Sequence, residues 1–502
     1  MPIAMLLGAL TVLGFAPFGL YALPFVTFAL LVVLWRRASR PRHAAIIGFA
    51  FGVGFFLTGV SWVYVSLHDF GGMPAALAGA LTLLFCCYLA LHPALVGWLY
   101  RKLPQSSLWS TLVFLPGAWA FSEWVRGTLW TGFPWIAIGY SQAPASPLAG
   151  YFPLFGVYGV SLLLMASAAA IAISSHRGGS SPRAGFRYPA VGVVLGLWLG
   201  GYVLQQVEWT QPAGQTTTVA LLQGNVPQEL KWREDQIKRT LDNYLALVRS
   251  SKAQLIVLPE TALPLFLHDV PGGYLEALRD EARRHGGDVL IGIPERDSSR
   301  HYYNSVLSYG TAATQTYRKS HLVPFGEFVP LKLLFGWFFE VTQIPLLDFS
   351  RGTATQQPLA VAGQLAAINI CYEDAFGAEI IRQLPAATLL VNVSNVAWFG
   401  RSIAPAQHLQ ISQARALETG RYMLRATNTG MTAIINERGI VEQVAPEYAT
   451  AILSGHVQGH TGATPYVRWG DYPVIAITLL LVLAACWLAM GGSGKIRAFS
   501  ER

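Results

Sequence analysis

The chain has 502 residues, of which 53% are hydrophobic and only 12% are charged, about half the charged fraction typical of a soluble globular protein. This composition excludes a disordered chain, a coiled coil and an ordinary cytosolic enzyme, and the mean hydropathy of +0.41 favours an integral membrane protein. The formal charge of +8 does not indicate a nucleic-acid partner, because basic loops also set membrane topology.

Long apolar runs predict about eight membrane-spanning helices, since a helix needs about 20 residues to cross the hydrocarbon core. Residues 1–35 carry no charge and are interrupted by Pro17, Gly19 and Pro24, which predicts a hairpin of two spans; a cleaved signal peptide is the alternative. Further spans are predicted at residues 44–67, 74–100, 108–126, 155–175, 188–205 and 472–491. Residues 1–205 are therefore predicted to form a seven-span domain, and residues 471–502 a final helix with a tail.

Basic residues cluster after every even-numbered span. The clusters are Arg36, Arg37, Arg40 and Arg42; Arg101 and Lys102; Arg177, Arg183 and Arg187; and Lys495, Arg497 and Arg502. Because basic loops stay inside, this pattern predicts that both termini are cytoplasmic and that residues 206–470 lie on the outer side of the membrane.

Residues 206–470 alternate short apolar strands with charged helices, which predicts an α/β domain. Strands are predicted at residues 218–223, 253–258, 288–293, 365–370, 388–393 and 431–435. Helices are predicted at residues 234–250, 274–285, 377–384 and 407–420.

Two reactive side chains end predicted strands: Glu260 closes the run LIVLPE, and Cys371 closes AAINIC. A cysteine at a strand-to-helix turn lies near helix N–H dipoles, which favour a thiolate; a buried structural cysteine is the alternative. The other cysteines, Cys86, Cys87 and Cys486, lie in apolar runs, and the sequence contains no CxxC pair.

A cation for this chemistry is available in the run YRKSHLVPFGE, which contains Lys319, although a solvated basic loop is the alternative. A Glu–Lys–Cys set is chemically coherent, because the carboxylate takes the thiol proton and the ammonium stabilises the oxyanion. A Cys–His pair with His321 or His408 is a second alternative. The sequence contains no HExxH, P-loop, GxGxxG or GxSxG motif and no zinc-ligand spacing, so no cofactor or metal is expected.

The segments LPETALP, YRKSHLVPFGEFVP and NICYEDAF, in this order, resemble the three signatures of the nitrilase (carbon–nitrogen hydrolase) superfamily. The longer forms PFGEFVP and ICYEDAF, the later VSNVAWFG and the flanking spans are similar to its membrane-bound branch, the bacterial apolipoprotein N-acyltransferases. The resemblance implies an αββα sandwich inserted into a multi-span protein of the bacterial inner membrane, with residues 206–470 as the periplasmic catalytic domain.

The resemblance also implies roles for individual residues. Glu260 matches the general base, Lys319 the oxyanion-stabilising lysine, Cys371 the nucleophile and Glu327 a glutamate that orients Lys319. Supporting positions that match the family are Trp232, for which packing is the alternative, Tyr372, Glu373 and Trp398. The family's usual Ser-Asn-Asp-Ala-Trp-Phe-Gly departs here, because Val396 replaces the aspartate and leaves the polar role of this loop in doubt.

The residues alone predict acyl transfer through a thioester, and the resemblance supplies the two substrates. A phospholipid, in this family phosphatidylethanolamine, is the expected donor, and the N-terminal amine of diacylglyceryl-cysteine on an apolipoprotein is the expected acceptor. The apolar residues 328–347 are predicted to dip into the outer leaflet and guide acyl chains, with a core segment of the sandwich as the alternative.

Two other classes of function are considered. A membrane-tethered amidase acting on a small periplasmic amide would use the same three residues, but it would not need an apolar entrance. A transporter predicts several intramembrane charged pairs and an internal repeat, whereas the sequence offers one pair, Glu123 and Arg126, and no repeat.

Overall fold

The structure is a computed structural model that describes residues 1–104, 108–174, 187–331, 333 and 348–500. The chain forms two compact units. The first comprises Met1–Ser61, Gly79–Val207 and Trp469–Arg502, and the second comprises Trp62–Ala78 and Glu208–Arg468. The second unit thus includes a short segment that the sequence assigns to the end of one span and the start of the next.

The helices, in chain order, are α1 (Pro2–Thr11), α2 (Leu23–Arg37), α3 (Pro41–Gly59), α4 (Trp62–Val65), α5 (Ala75–Lys102), α6 (Leu115–Thr128), α7 (Phe152–Ser174), α8 (Arg187–Leu204), α9 (Glu234–Ser250), α10 (Tyr274–Arg284), α11 (Gly377–Ile380), α12 (Ala404–Thr419), α13 (Pro465–Trp469) and α14 (Tyr472–Ser500). Helices α1 and α3 approach closely because glycines lie where they cross. A Cβ atom at Gly8 would collide with the carbonyl oxygen of Phe51, and one at Gly54 would collide with that of Met5. Small residues allow such backbone contact between apolar helices.

Within the described part of the chain, three helical segments are long and apolar enough to cross a membrane: Pro41–Gly59, Ala75–Lys102 and Pro147–Ser174. Shorter apolar helices cover Pro2–Gly14, Ala190–Leu204 and Tyr472–Leu488. The set of eight spans is therefore not confirmed. The span predicted at residues 44–67 is wrong in extent, because the helix ends at Gly59 and Val60 leaves helical geometry with φ −132° and ψ 20°.

The second unit contains two six-stranded sheets. Their strands are β1 (Gln211–Gln223), β2 (Leu255–Val257), β3 (Asp288–Arg296), β4 (Tyr302–Gly310), β5 (Gln315–Arg318), β6 (Leu359–Val361), β7 (Gln364–Ile370), β8 (Leu389–Ser394), β9 (Met423–Thr427), β10 (Ala433–Ile435), β11 (Val441–Val444) and β12 (Ala451–Thr461). The strand orders are β12-β1-β2-β3-β4-β5 and β11-β10-β9-β8-β7-β6. In each sheet the three central strands are parallel and the outer strands are antiparallel.

The sheets pack against each other because both faces of their central strands are apolar. Val219 and Leu221 of β1 enter a core that also contains Ile368 of β7. The intervening Ala220 and Leu222 point the opposite way, toward α9 and α10, because successive side chains of a strand alternate between faces. A third cluster joins the second sheet to α12. The four-layer αββα sandwich is confirmed.

The parallel central strands place their carboxyl ends at one edge of each sheet, the usual location of chemistry in α/β folds. Strand β2 leads into Glu260, and β7 leads into Cys371. Most of the apolar segment 328–347 lies outside the described residues, so its predicted role is not addressed by the structure.

Candidate active site

The structure brings Glu260, Lys319 and Glu327 together around one buried ammonium group. The Nζ atom of Lys319 lies 2.9 Å from both carboxylate oxygens of Glu327 and 3.5 Å from Oε1 of Glu260. Only 1% of Lys319 is exposed. Burial disfavours the charged form, but the two carboxylates outweigh it and raise the pKa of Lys319 above its ordinary value.

Glu260 is held by donors on both of its carboxylate oxygens. The side-chain amide of Asn304 donates to Oε1 at 2.7 Å and also to Glu327 at 2.9 Å, and the backbone N–H of Asn395 donates to Oε2 at 2.7 Å. Burial alone would raise the pKa of Glu260, but Lys319 and these donors hold it below its ordinary value. Glu260 is therefore ionised at neutral pH and can accept a proton.

Cys371 has the left-handed backbone conformation, with φ +54°, which is costly for any residue other than glycine. Its carbonyl oxygen accepts from Nδ2 of Asn392 at 3.1 Å and lies 3.2 Å from Nε2 of His408. Burial and the negative charge of Glu260 raise the pKa of the Cys371 thiol, and Lys319 partly opposes them. The thiol is thus neutral at rest beside an ionised carboxylate, which is the arrangement that general-base activation of a nucleophile requires.

His408 does not face the thiol through its Nε2 atom. That nitrogen lies 2.7 Å from Oδ1 of Asp374 as well as near the Cys371 carbonyl, and because both partners are acceptors, Nε2 carries the proton. Asp374 also accepts from Ser412 and Arg425, at 2.6 and 3.2 Å. Burial lowers the pKa of His408. His408 is therefore a neutral donor within a buried network behind Cys371.

His321 is the other candidate for a Cys–His pair, and in the described part of the chain its ring contacts Tyr372 and Phe376, which follow Cys371 in the chain. Its ring stacks on Phe376 with 3.7 Å between centroids, and its Nδ1 atom lies 3.2 Å from Oε2 of Glu379. The geometry supports Glu260 rather than a histidine as the base.

Glu373 links the segment that carries Lys319 to the strand that directly precedes Cys371. Its Oε1 atom accepts from the backbone N–H groups of Ser320 and His321 and from the hydroxyl of Ser320, at 2.7 to 3.0 Å. Its Oε2 atom accepts from the hydroxyl of Tyr317 at 3.0 Å and from the N–H of Ile370 at 2.7 Å. Burial raises the pKa of the Glu373 carboxyl, and these backbone donors oppose the rise.

The remaining residues predicted from the sequence lie at different places. Tyr372 is buried, and its ring contacts that of Phe376 with 5.0 Å between centroids. Trp232 is half-buried in the turn before α9, and no contact recorded among the described residues joins it to Glu260, Lys319 or Cys371.

Trp398 lies in a short 3₁₀ turn, Val396–Phe399, that contacts the Trp62–Ala78 segment of the same unit. Its carbonyl accepts from the hydroxyl of Ser66 at 2.8 Å, and the Phe399 ring packs edge-on against Trp62 with 4.8 Å between centroids. Val396, which replaces the family's aspartate, is buried, so an apolar residue fits this position.

Sequence reasoning missed the asparagines that organise the site, Asn304, Asn392 and Asn395. Each is buried, and the first two lie inside largely buried strands. A polar residue in a buried strand was the available signal, because such a residue must find a hydrogen-bond partner. Among the described residues, no group of three His, Cys, Asp or Glu side chains is arranged to hold a metal ion.

Two family models match the chain. Residues 218–466 match the carbon–nitrogen hydrolase family, which defines the class of the catalytic unit. Residues 7–170 match the apolipoprotein N-acyltransferase N-terminal domain.

Full-length relatives agree with both models. Proteins named apolipoprotein N-acyltransferase are 55% identical in Nitrosomonas europaea, over 98% of this chain and 98% of the relative, and 47% identical in Chromobacterium violaceum, over 97% and 94%. The relative from Ralstonia nicotianae is 46% identical over 96% of this chain and 92% of its own length. The chain belongs to the apolipoprotein N-acyltransferase family.

We expect Glu373→Gln to slow acyl transfer about 100-fold, because an amide cannot accept all five donors and Lys319 would move relative to Cys371. The matched control is Glu379→Gln, which alters a partly exposed carboxylate on His321 and is expected to change the rate only a few-fold. The measurement is the initial rate of acyl transfer by each purified variant. Equal rates for Glu373→Gln and the unmodified protein would contradict the linking role.

Proposed function

We propose that this chain is a phospholipid-dependent N-acyltransferase in which Cys371 carries the acyl group as a thioester. The observation that carries the proposal is the ammonium of Lys319 at 2.9 Å from Glu327 and 3.5 Å from Glu260. The charge of this ammonium also opposes the rise in the pKa of the Cys371 thiol. This arrangement provides a nucleophile, a base and a cation for an oxyanion.

In the first half-reaction, the Cys371 sulfur attacks the carbonyl carbon of a phospholipid ester while Glu260 takes the thiol proton. Lys319 stabilises the negative oxygen of the tetrahedral intermediate. The ester C–O bond then breaks, and the leaving alkoxide takes the proton from Glu260, which releases a lysophospholipid. The products are a thioester on Cys371 and a Glu260 carboxylate ready for a second cycle.

In the second half-reaction, a neutral primary amine attacks the thioester and Glu260 accepts the amine proton. A C–N bond forms, the C–S bond breaks, and the proton returns to the Cys371 sulfur. Conversion of a thioester to an amide is downhill, so the site has to supply mainly positioning and deprotonation. We assign phosphatidylethanolamine as the donor, and the N-terminal amine of diacylglyceryl-cysteine on an apolipoprotein as the acceptor.

Family membership favours this reaction over hydrolysis of a small periplasmic amide, the alternative that the same side chains would permit. The matched relatives are named as N-acyltransferases, and the match includes the apolar N-terminal part of the chain as well as the hydrolase-like unit. An amidase would not require that part.

We further propose that the protein resides in the bacterial inner membrane with about eight spans. Residues 1–205 form the seven-span domain, residues 206–470 the periplasmic catalytic domain, and residues 471–502 the last span and a cytoplasmic tail. The distribution of basic residues supports this orientation, since every cluster follows an even-numbered span.

The thioester is tested by intact-protein mass spectrometry after incubation with phosphatidylethanolamine. We expect the purified protein to gain the mass of one acyl chain, to lose it on treatment with hydroxylamine, and to form no adduct when Cys371 is replaced by Ala. Phospholipid turnover by Cys371→Ala at the unmodified rate would contradict the proposal. Absence of both adduct and turnover, with hydrolysis of small amides, would favour the amidase.

The orientation is tested with alkaline phosphatase fusions, because this enzyme is active only outside the cytoplasm. A fusion after residue 207 is expected to be active, and a fusion at residue 502 inactive. The reverse pattern would contradict the proposed topology.

A further inference from the structure

A second buried lysine, Lys231, lies beside the base and has no part in the reaction described above. Only 3% of Lys231 is exposed, and its Nζ atom donates to the backbone carbonyl of Glu260 at 3.2 Å. Within the described chain this is the one hydrogen bond recorded for the Lys231 ammonium, which has three donors. A buried cation with so few partners is costly unless a nearby charge compensates it.

The compensating charge is that of Glu260. Burial lowers the pKa of Lys231 to about 8, and the negative charge of Glu260 opposes the fall. The same interaction acts on Glu260, where Lys231 is, after Lys319, the second cation that favours the carboxylate. At neutral pH and below, Lys231 is therefore a cation next to Glu260, bound to the backbone carbonyl of that residue.

The backbone around Glu260 explains why its carbonyl needs a donor. The turn that follows β2 places Thr261 in the left-handed region with φ +50°, and the N–H of Ala262 returns to the carbonyl of Pro259 at 3.2 Å. The carbonyl of Glu260 accepts from Lys231, on a segment more than 25 residues earlier in the chain.

The segment that carries Lys231 also contacts the carboxylate end of Glu260, through one intermediary. Oε1 of Gln228 accepts from the side-chain amide of Asn395 at 2.8 Å, and the backbone N–H of Asn395 donates to Oε2 of Glu260 at 2.7 Å. The segment thus restrains the base at its main chain and at its side chain.

We propose that Lys231 is a positioning residue that holds Glu260 in place and ionised, so that Glu260 can accept the Cys371 proton. The inference rests on the proposed function only in taking Glu260 as the base for Cys371. It assigns to Lys231, rather than to the neighbouring Trp232, the contribution of this segment to proton transfer.

The direction of the pH effect follows from the charges that face Glu260, which are Lys231, Lys319, Arg425 and Glu327 beside the Cys371 thiol. The cations favour the carboxylate. Removal of Lys231 raises the pKa of Glu260, so that the base becomes protonated at a higher pH. As the pH is lowered, the reactivity of Cys371 therefore begins to decline at a higher pH than in the unmodified protein.

The test is the rate at which iodoacetamide alkylates Cys371 in the full-length protein in detergent, between about pH 3 and pH 8, a range that extends below the ordinary pKa of a glutamate. Mass spectrometry of the Cys371 peptide separates this reaction from those of Cys86, Cys87 and Cys486. In a plot of alkylation rate against pH, the acidic limb is the fall in rate that occurs as Glu260 becomes protonated. Glu260→Gln identifies this limb, because the variant lacks the base and should not show the fall. The matched control is Lys252→Met, which removes an exposed lysine near the end of α9.

For Lys231→Met and Lys231→Gln we expect the acidic limb to move upward by about one pH unit, the usual effect of losing an adjacent opposite charge. Lys231→Arg, which keeps the charge, and Lys252→Met are expected to leave the limb in place. Thermal melting of each variant shows whether it is folded.

The inference would be overturned if the acidic limb stayed at the same pH in both Lys231→Met and Lys231→Gln while alkylation slowed equally at every pH. Lys231 would then have only a structural role. A limb that persists in Glu260→Gln would overturn it as well. Alkylation needs no phospholipid, so the absence of an acyl adduct together with a shifted limb would count against acyl transfer and leave the role of Lys231 standing.

Discussion

One buried ammonium group lies between two buried carboxylates, and the chemistry of the site depends on this arrangement of charges. Lys319 lies between Glu260 and Glu327 and is almost fully removed from water. Each of the three charges would be costly alone, and removal of one partner of such a set is strongly destabilising. The ammonium of Lys319 keeps Glu260 ionised, so that Glu260 can act as a base. Glu327 also contacts this ammonium, so Lys319 is not paired with Glu260 alone.

The fold supplies these groups from separate strand ends. Glu260 follows β2, Lys319 follows β5 and Cys371 follows β7, so residues more than 100 positions apart meet at the edges of two packed sheets. Glu373 joins the Lys319 segment to β7 through five hydrogen bonds. The left-handed conformation of Cys371 is held by Asn392 and His408 at its carbonyl. Strain at the nucleophile is thus supported by a buried polar network, as expected where function fixes an unfavourable backbone.

The sequence predicted five of the six central parallel strands and the outer strand β10, but it missed the central strand β9 and the other outer strands. Apolar runs such as LIVL and AAINI are typical of buried parallel strands, whereas β4, β9 and β12 mix polar and apolar residues and gave no comparable signal. Motifs located Glu260, Lys319 and Cys371. The contributions of Asn304 and Lys231 arise from contacts between distant segments, which local pattern does not contain. The association of Trp62–Ala78 with the Trp398 turn is long-range in the same way.

The central claim is that the Cys371 thioester is discharged by an amine and not by water, and its fate can be measured directly. Acylated protein, freed of phospholipid, would be mixed with a diacylglyceryl-cysteinyl peptide, and both the protein adduct and the peptide followed by mass spectrometry. The account predicts that the adduct persists in buffer, disappears on addition of the peptide, and reappears as one amide-linked acyl chain per peptide. Loss of the adduct at the same rate with and without the peptide, with free fatty acid as the product, would contradict it.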